Sequence, residues 1–192
     1  ESIRIMITEK LEKHICDTIK EWQMKLGYQN ESMKLYYPAE SLVGLLGLED
    51  ETEEGIYRGL AKFNELVQER LGNIKCSNNG DRYCLEISKE GCKYIATQIP
   101  DSPFLKKFLE VITSKGVTLE KVVDCFRSFE PNCIVEDETG EGLGHVCMFH
   151  DTSIDDYVYC IESDEFGVTY HRFVREDYEK LLDEGGHHHH HE

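Results

Sequence analysis

Four side chains in the last third of the sequence have the chemistry to bind a transition metal: His145, Cys147, Cys160 and His171. Thiolate and imidazole are suitable zinc ligands. His145 and Cys147 are two residues apart, a spacing that puts both on one face of a β-strand. Cys160 and His171, with Cys133 and Phe173, lie on neighbouring segments and can join that face in some strand registers. Against a metal site, no Cys-x-x-Cys pair supplies two ligands from one turn, and Phe149 continues the face of His145 and Cys147 as a core residue would. The same pattern fits satisfied core thiols beside partly exposed histidines.

Other chemistry has weaker carriers. The carboxylates of Glu136, Asp137, Glu138 and Glu141, and those of Asp151, Asp155 and Asp156, do not follow a calcium-loop spacing and read as solvated hairpin turns. Cys147 with His145 or His171, or Cys125 with a carboxylate, can be named as nucleophile and partner. No strained elbow or glycine-rich oxyanion turn singles one of them out. Gly140, Gly142 and Gly144 alternate within a hairpin, not between a strand and a helix, so they do not form a phosphate loop. No catalytic residue and no cofactor is assigned, and the reading leans away from an enzyme. Tyr157, Tyr159, Tyr170 and Tyr178 remain, aromatic rings in an acidic stretch. They fit either a core edge with hydroxyls at water or the anchors of a protein-contact surface.

The elements that must position these residues follow from hydrophobic spacing. Leu11, Ile15, Ile19, Trp22 and Leu26 form an amphipathic helical stripe with Thr8 as its N-cap and Gly27 as its stop. Met33, Leu35 and Tyr37 alternate as a strand that Pro38 ends, and a helix follows over Ala39–Leu46. Asp50 or Thr52 caps a longer helix with the stripe Ile56, Leu60, Phe63, Val67 and Leu71. Asn78, Asn79, Gly80 and Asp81 sit between two β-type runs, 74–77 and 82–87, as the turn of a hairpin, and Ser88 caps a helix to about Gln98. Pro100 to Pro103 mark a boundary. Beyond it come a helical hairpin, capped at Ser102 and Thr118, and four β runs (133–136, 145–150, 157–162, 168–173) with a closing helix over 176–182.

The expected fold is α+β. Residues 1–100 form a winged-helix-like unit of order α-β-α-α-β-β-α. Residues 101–184 form a helical hairpin, a four-stranded antiparallel meander and a C-terminal helix, and residues 185–192, with five consecutive histidines, form a purification tag or a native metal-binding tail. A winged helix invites a DNA-binding reading, in which the start of the second turn helix meets bases and phosphates. Here that start carries Thr52, Glu53, Glu54, Tyr57 and Arg58, and the wing offers Arg82 beside Asp81. Carboxylates at this position repel phosphate.

The formal charge is −17, spread unevenly: residues 1–100 hold 13 basic and 17 acidic side chains, residues 101–192 hold 8 and 21. Such a surface disfavours nucleic acid and anionic membranes as partners. The absence of a long apolar run, and of a secretion-signal layout over residues 1–8, points to the cytoplasm. The start at Glu1, not Met, suggests a trimmed or partial chain. Eight cysteines set within apolar patterns are expected to be reduced and mostly buried.

The run Asp155, Asp156, Tyr157, Val158, Tyr159, Cys160, followed by Tyr170, His171, Arg172, Phe173 and by Glu176, Asp177, Tyr178, resembles a family of clostridial gut-anaerobe proteins known only as a domain of unknown function. Leu35, Tyr36, Tyr37 and Pro38 are similar to it as well. The resemblance implies membership over most of the chain and no activity. The functional expectation is a non-enzymatic bacterial protein-interaction or regulatory module with another protein as partner. The alternatives are a winged-helix transcriptional regulator and a small-molecule- or metal-binding protein using the C-terminal sheet.

Overall fold

A computed structural model describes the backbone of residues 2–189 and the side chains of residues 9–183. The chain divides into two compact units, Glu1–Asp101 and Ser102–Glu192.

In the first unit the elements are α1 (Ser2–Leu26), β1 (Met33–Pro38), α2 (Ala39–Leu46), α3 (Glu53–Leu71), β2 (Lys75–Asn78), β3 (Arg82–Ile87) and α4 (Lys89–Gln98). The strands form an antiparallel sheet in the order β1-β3-β2, which together with the element order makes the unit winged-helix-like. The apolar stripes meet in one core: Leu11, Ile15 and Ile19 of α1, Leu42 and Leu46 of α2, and Ile56, Leu60, Phe63, Val67 and Leu71 of α3. Leu35 and Tyr37 of β1 face Leu85 and Tyr83 of β3 across the ladder. Thr52 and Ser88 cap α3 and α4, their hydroxyls accepting the N–H of Gly55 and Gly91. Gly91 has a second reason to lack a side chain: a Cβ there would run into the carbonyl oxygen of Leu71, so only glycine lets α4 start against the end of α3.

Two sequence expectations change at α1. The helix already runs at Ser2, so Thr8 is inside it and not its cap, because residues 3–7 contain no glycine or proline to stop a helix. The stripe is also not buried along its length: Leu11, Ile15 and Ile19 are fully buried, whereas Trp22 and Leu26 are 47% and 65% exposed.

In the second unit, α5 (Pro103–Ile112) and α6 (Leu119–Phe129) form the helical hairpin. Ser102 accepts the N–H of Leu105 with Pro103 in the first turn, and Thr118 accepts that of Lys121. The meander β4 (Ile134–Asp137), β5 (Gly144–Met148), β6 (Tyr157–Asp164) and β7 (Gly167–Val174) is antiparallel in chain order, and α7 (Arg175–His189) closes the unit. β5 ends two residues before the apolar run suggests. The N–H groups of His150 and Asp151 leave the ladder to donate to the carboxylate of Glu130 at the end of α6, each at 2.9 Å. The side chains of His187–His191, and so the reading of 185–192 as a tag or tail, lie outside the described residues.

The meander is covered on both faces. Tyr159 of β6 packs against Phe104 and Phe108 of α5 and Phe126 of α6, whereas Val158 of β6 and Val146 of β5 pack against Tyr178 of α7. Phe104 is the hub of the inner layer, with ring centroids at 4.9 Å from Phe126, 4.8 Å from Phe149, 5.4 Å from Phe129 and 5.6 Å from Tyr159. Removing it leaves a cavity that several rings line and none can fill. Phe104→Ala is expected to lower unfolding free energy by about 3–5 kcal/mol in urea titration, while Phe166→Ala, 90% exposed, leaves the midpoint unchanged.

Candidate functional site

The ladder registers divide the candidate metal ligands between the two faces of the sheet. His145 and Cys147 of β5 face Ile161 and Tyr159 of β6, on the side covered by α5 and α6. Cys160 pairs with Val146 on one side and with His171 on the other, which places Cys160 and His171 on the α7 side. The four residues therefore split two and two across the sheet, and the register forbids one site holding all of them. Among the described residues no group of three His, Cys, Asp or Glu side chains converges as metal ligands would. His145 borders a shallow cavity of about 250 Å³ with Glu120 and Arg127, its Nδ1 lying 2.9 Å from the carbonyl oxygen of Gly144.

The nucleophile pairings fare no better in this geometry. Cys147 is fully buried, and burial pushes its thiol up to about 12; burial pushes Cys125 up to about 11. Such thiols stay protonated at neutral pH and supply no thiolate. The acidic β4–β5 hairpin has its own internal use for Asp137. That carboxylate accepts the N–H groups of Thr139 and Gly140 on one oxygen and of Gly142 on the other. Desolvation raises its pKa, but these donors together outweigh it and hold the group below its ordinary value.

Of the tyrosines offered either as a core edge or as contact anchors, three are buried and one is half-buried. Tyr157, Tyr159 and Tyr178 are buried, and the half-buried Tyr170 packs its ring 4.9 Å from Phe108. The sequence could not separate these readings, because a tyrosine suits both a core edge and an interface. Their burial exposes a group that spacing did not reveal. Asp155 is a buried carboxylate that accepts the Tyr157 N–H at 2.9 Å and the Tyr159 hydroxyl at 2.8 Å. Arg172, across the ladder from Tyr159, holds its guanidinium 3.9 Å from the centre of the Tyr157 ring.

In the first unit, the start of α3 is acidic and closed. Glu53 and Glu54 are exposed, and Arg58 is held by Asp50 at 2.8 Å and by Glu54 at 3.4 Å. A larger concavity of this unit lies elsewhere among the described residues, along α1 and the later turns of α3. It is a groove of about 780 Å³ with Cys16, Leu66, Val67 and Ile99 as apolar lining and Glu9, Glu12, Lys13, Asp17 and Arg70 around them. Arg70 grips Glu12 with two nitrogens, at 2.7 and 2.8 Å, and Lys13 pairs with Asp17 at 2.6 Å. These pairs leave Leu66, 44% exposed, as the open apolar side chain of α3 in the groove.

A family model described as "Domain of unknown function, E. rectale Gene description (DUF3877)" matches residues 8–182. The chain belongs to this family. The match takes in both units, so the winged-helix-like fold and the meander are parts of one family unit of sequence. No curated protein and no solved structure matches the chain. Among the described residues of this family member, no helix is long and apolar enough to cross a membrane.

Asp155 gives a pH signature. Burial raises its pKa, and Arg172, the Tyr157 N–H and the Tyr159 hydroxyl pull it back only in part. A carboxyl whose folded pKa is raised binds its proton more tightly in the folded state. Its contribution is thus greatest below the ordinary aspartate range of about 4 and is lost as pH rises through the folded pKa. Asp155→Asn removes the charge and keeps one acceptor oxygen, while its amide nitrogen takes the place of the other oxygen and can only donate, so Tyr159 must turn its hydroxyl to accept. Urea midpoints measured from acid to neutral pH should show the variant gaining on the wild-type protein as pH rises; a constant difference would exclude a raised Asp155.

Proposed function

We propose that this chain is a non-enzymatic protein-interaction module, whose groove between α1 and α3 takes up an apolar segment flanked by basic residues from a partner protein. The groove carries the reading. Its lining is mainly apolar and its walls are two helices that share one buried core, the setting in which an amphipathic helix is held by a few apolar anchors. Three carboxylates, Glu9, Glu12 and Asp17, stand beside two cations, Lys13 and Arg70, so the surroundings favour a basic segment. The charge of −17 extends that preference to the approach.

The eight cysteines are free, five of them buried, which suits a reducing cytoplasm. Transcriptional regulation draws no support from α3, whose leading cation is bound to Asp50 and Glu54. Metal binding in the second unit draws none from a ligand set divided by the sheet.

Fluorescence anisotropy tests the reading with a labelled amphipathic Leu/Lys peptide of about 14 residues, a Leu/Glu counterpart and a random DNA duplex at low salt. The Leu/Lys peptide should bind, and the other two should not. Leu66→Glu, on an exposed position, should weaken binding by roughly tenfold or more at an unchanged urea midpoint. Equal binding by wild type and variant would remove the groove from the proposal.

A further inference from the structure

The second unit carries a cavity whose charged side chains the fold leaves unused. It is the hollow of about 250 Å³ beside His145, where Glu120 and Arg127 stand on one face of α6 and Leu119 and Val123, 9% and 4% exposed, form the floor between them. Gly142 of the β4–β5 hairpin completes the wall, its N–H held by Asp137 at 2.9 Å. Residues 101–192 hold 8 basic and 21 acidic side chains, so an arginine there is expected to meet a carboxylate. Arg175 is tied to the carbonyl oxygens of Phe149 and Asp156, and Arg172 lies over the Tyr157 ring. Arg127 has no ion pair among the described residues. Glu130, three positions on, uses both carboxylate oxygens to accept the N–H groups of His150 and Asp151. Glu120 has none either, and the neighbouring Lys121 turns its ammonium to the carbonyl oxygen of Gly116. Opposite charges thus line one cavity without meeting.

We propose that this cavity binds a free α-amino acid with an apolar side chain, its carboxylate on Arg127, its ammonium on Glu120 and its side chain over Leu119 and Val123. A planar guanidinium takes a carboxylate through two parallel hydrogen bonds. The length of the gap selects the ligand. Seven helical residues separate the Cα atoms of Glu120 and Arg127 by roughly 10 Å. Both side chains lean toward the helix N-terminus, arginine reaching farther back than glutamate, so the charged tips lie closer than that. Two charge-assisted hydrogen bonds of about 2.8 Å each leave roughly 4 Å or less between the ammonium and the carboxylate of the ligand. The two groups of an α-amino acid, joined to one carbon, fit that span, and the two termini of a peptide do not. His145 adds an acceptor. Its Nδ1 faces the Gly144 carbonyl oxygen, which can only accept, so Nδ1 carries the proton and Nε2 of the neutral ring is left to accept from an ammonium. The size agrees: a cavity below the roughly 300 Å³ at which drug-sized sites begin holds one small molecule.

An amide NMR titration of the full chain with L-leucine to about 20 mM reads the site at Gly142, His145 and α6, and covers millimolar dissociation constants. Shifts at these residues should saturate with a Kd on the order of 1 mM. Isocaproate, which is leucine without its amine, and isoamylamine, which is leucine without its carboxylate, should each bind roughly tenfold more weakly or worse. Arg127→Gln and Glu120→Gln, both at exposed positions, should each weaken leucine binding by roughly tenfold or more at an unchanged urea midpoint. Leu66→Glu, in the groove of the first unit, should bind leucine as the wild type does. The absence of a saturable shift at these residues overturns the proposal. So does isocaproate binding as tightly as leucine, the mark of a plain anion site, or equal binding by the wild type and either glutamine variant. None of these results bears on peptide capture by the groove.

Discussion

A phenol in the middle of an aromatic core must find an acceptor, and in the second unit that need is met by one carboxylate. Tyr159 is completely buried among Phe104, Phe108 and Phe126, and its hydroxyl donates to Asp155. Left unpaired, such a hydroxyl would cost about 1–3 kcal/mol. The same carboxylate accepts the N–H of Tyr157 at the start of β6, so the side chain that satisfies the core also anchors the strand. Once Tyr159 faces the helical hairpin, the two-residue alternation of the pleat assigns every neighbour on β5, β6 and β7 to one side or the other. That assignment separates His145 and Cys147 from Cys160 and His171. The division of the candidate ligands and the order of the core have one cause.

How much was legible in the sequence follows from the range of each interaction. The stripes of α3, α5 and α6 and the caps Thr52, Ser88, Ser102 and Thr118 are local, and the helices form where those residues place them. The α+β class and the meander order were legible for the same reason. Strand register was not, because it depends on pairing between distant segments, and the candidate ligands depended on register. The groove was not legible either. It rests on Glu12 of α1 meeting Arg70 of α3, 58 residues apart in sequence, and neither residue belongs to an apolar stripe. Asp155 was visible only as one acid in a run of acids. Its depth follows from where Tyr159 must go.

The winged-helix-like unit combines that topology with an acidic start to α3, and topology alone assigns no use. The strand order and the turn helices are present, yet the reading end of α3 is an electrostatically closed surface. Asp50 accepts from Thr52 and holds Arg58, and Glu53 and Glu54 face solvent ahead of it. The same helix turns a more accessible, apolar flank toward α1 two to three turns later. Within one helix, charge closes the first part and a lone exposed leucine opens the second.

The buried thiols have a consequence for how the molecule's motions can be seen. Burial pushes Cys16 and Cys147 up to about 12 and Cys92 and Cys125 up to about 11, so all four are nearly inert to alkylation while folded. Each becomes reactive only when the element around it opens. Cys16 lies in α1, Cys92 in α4, Cys125 in α6 and Cys147 in β5, two in each unit. Without any added label, the chain carries four clocks for local opening, and their relative rates distinguish units that breathe independently from a chain that opens as a whole.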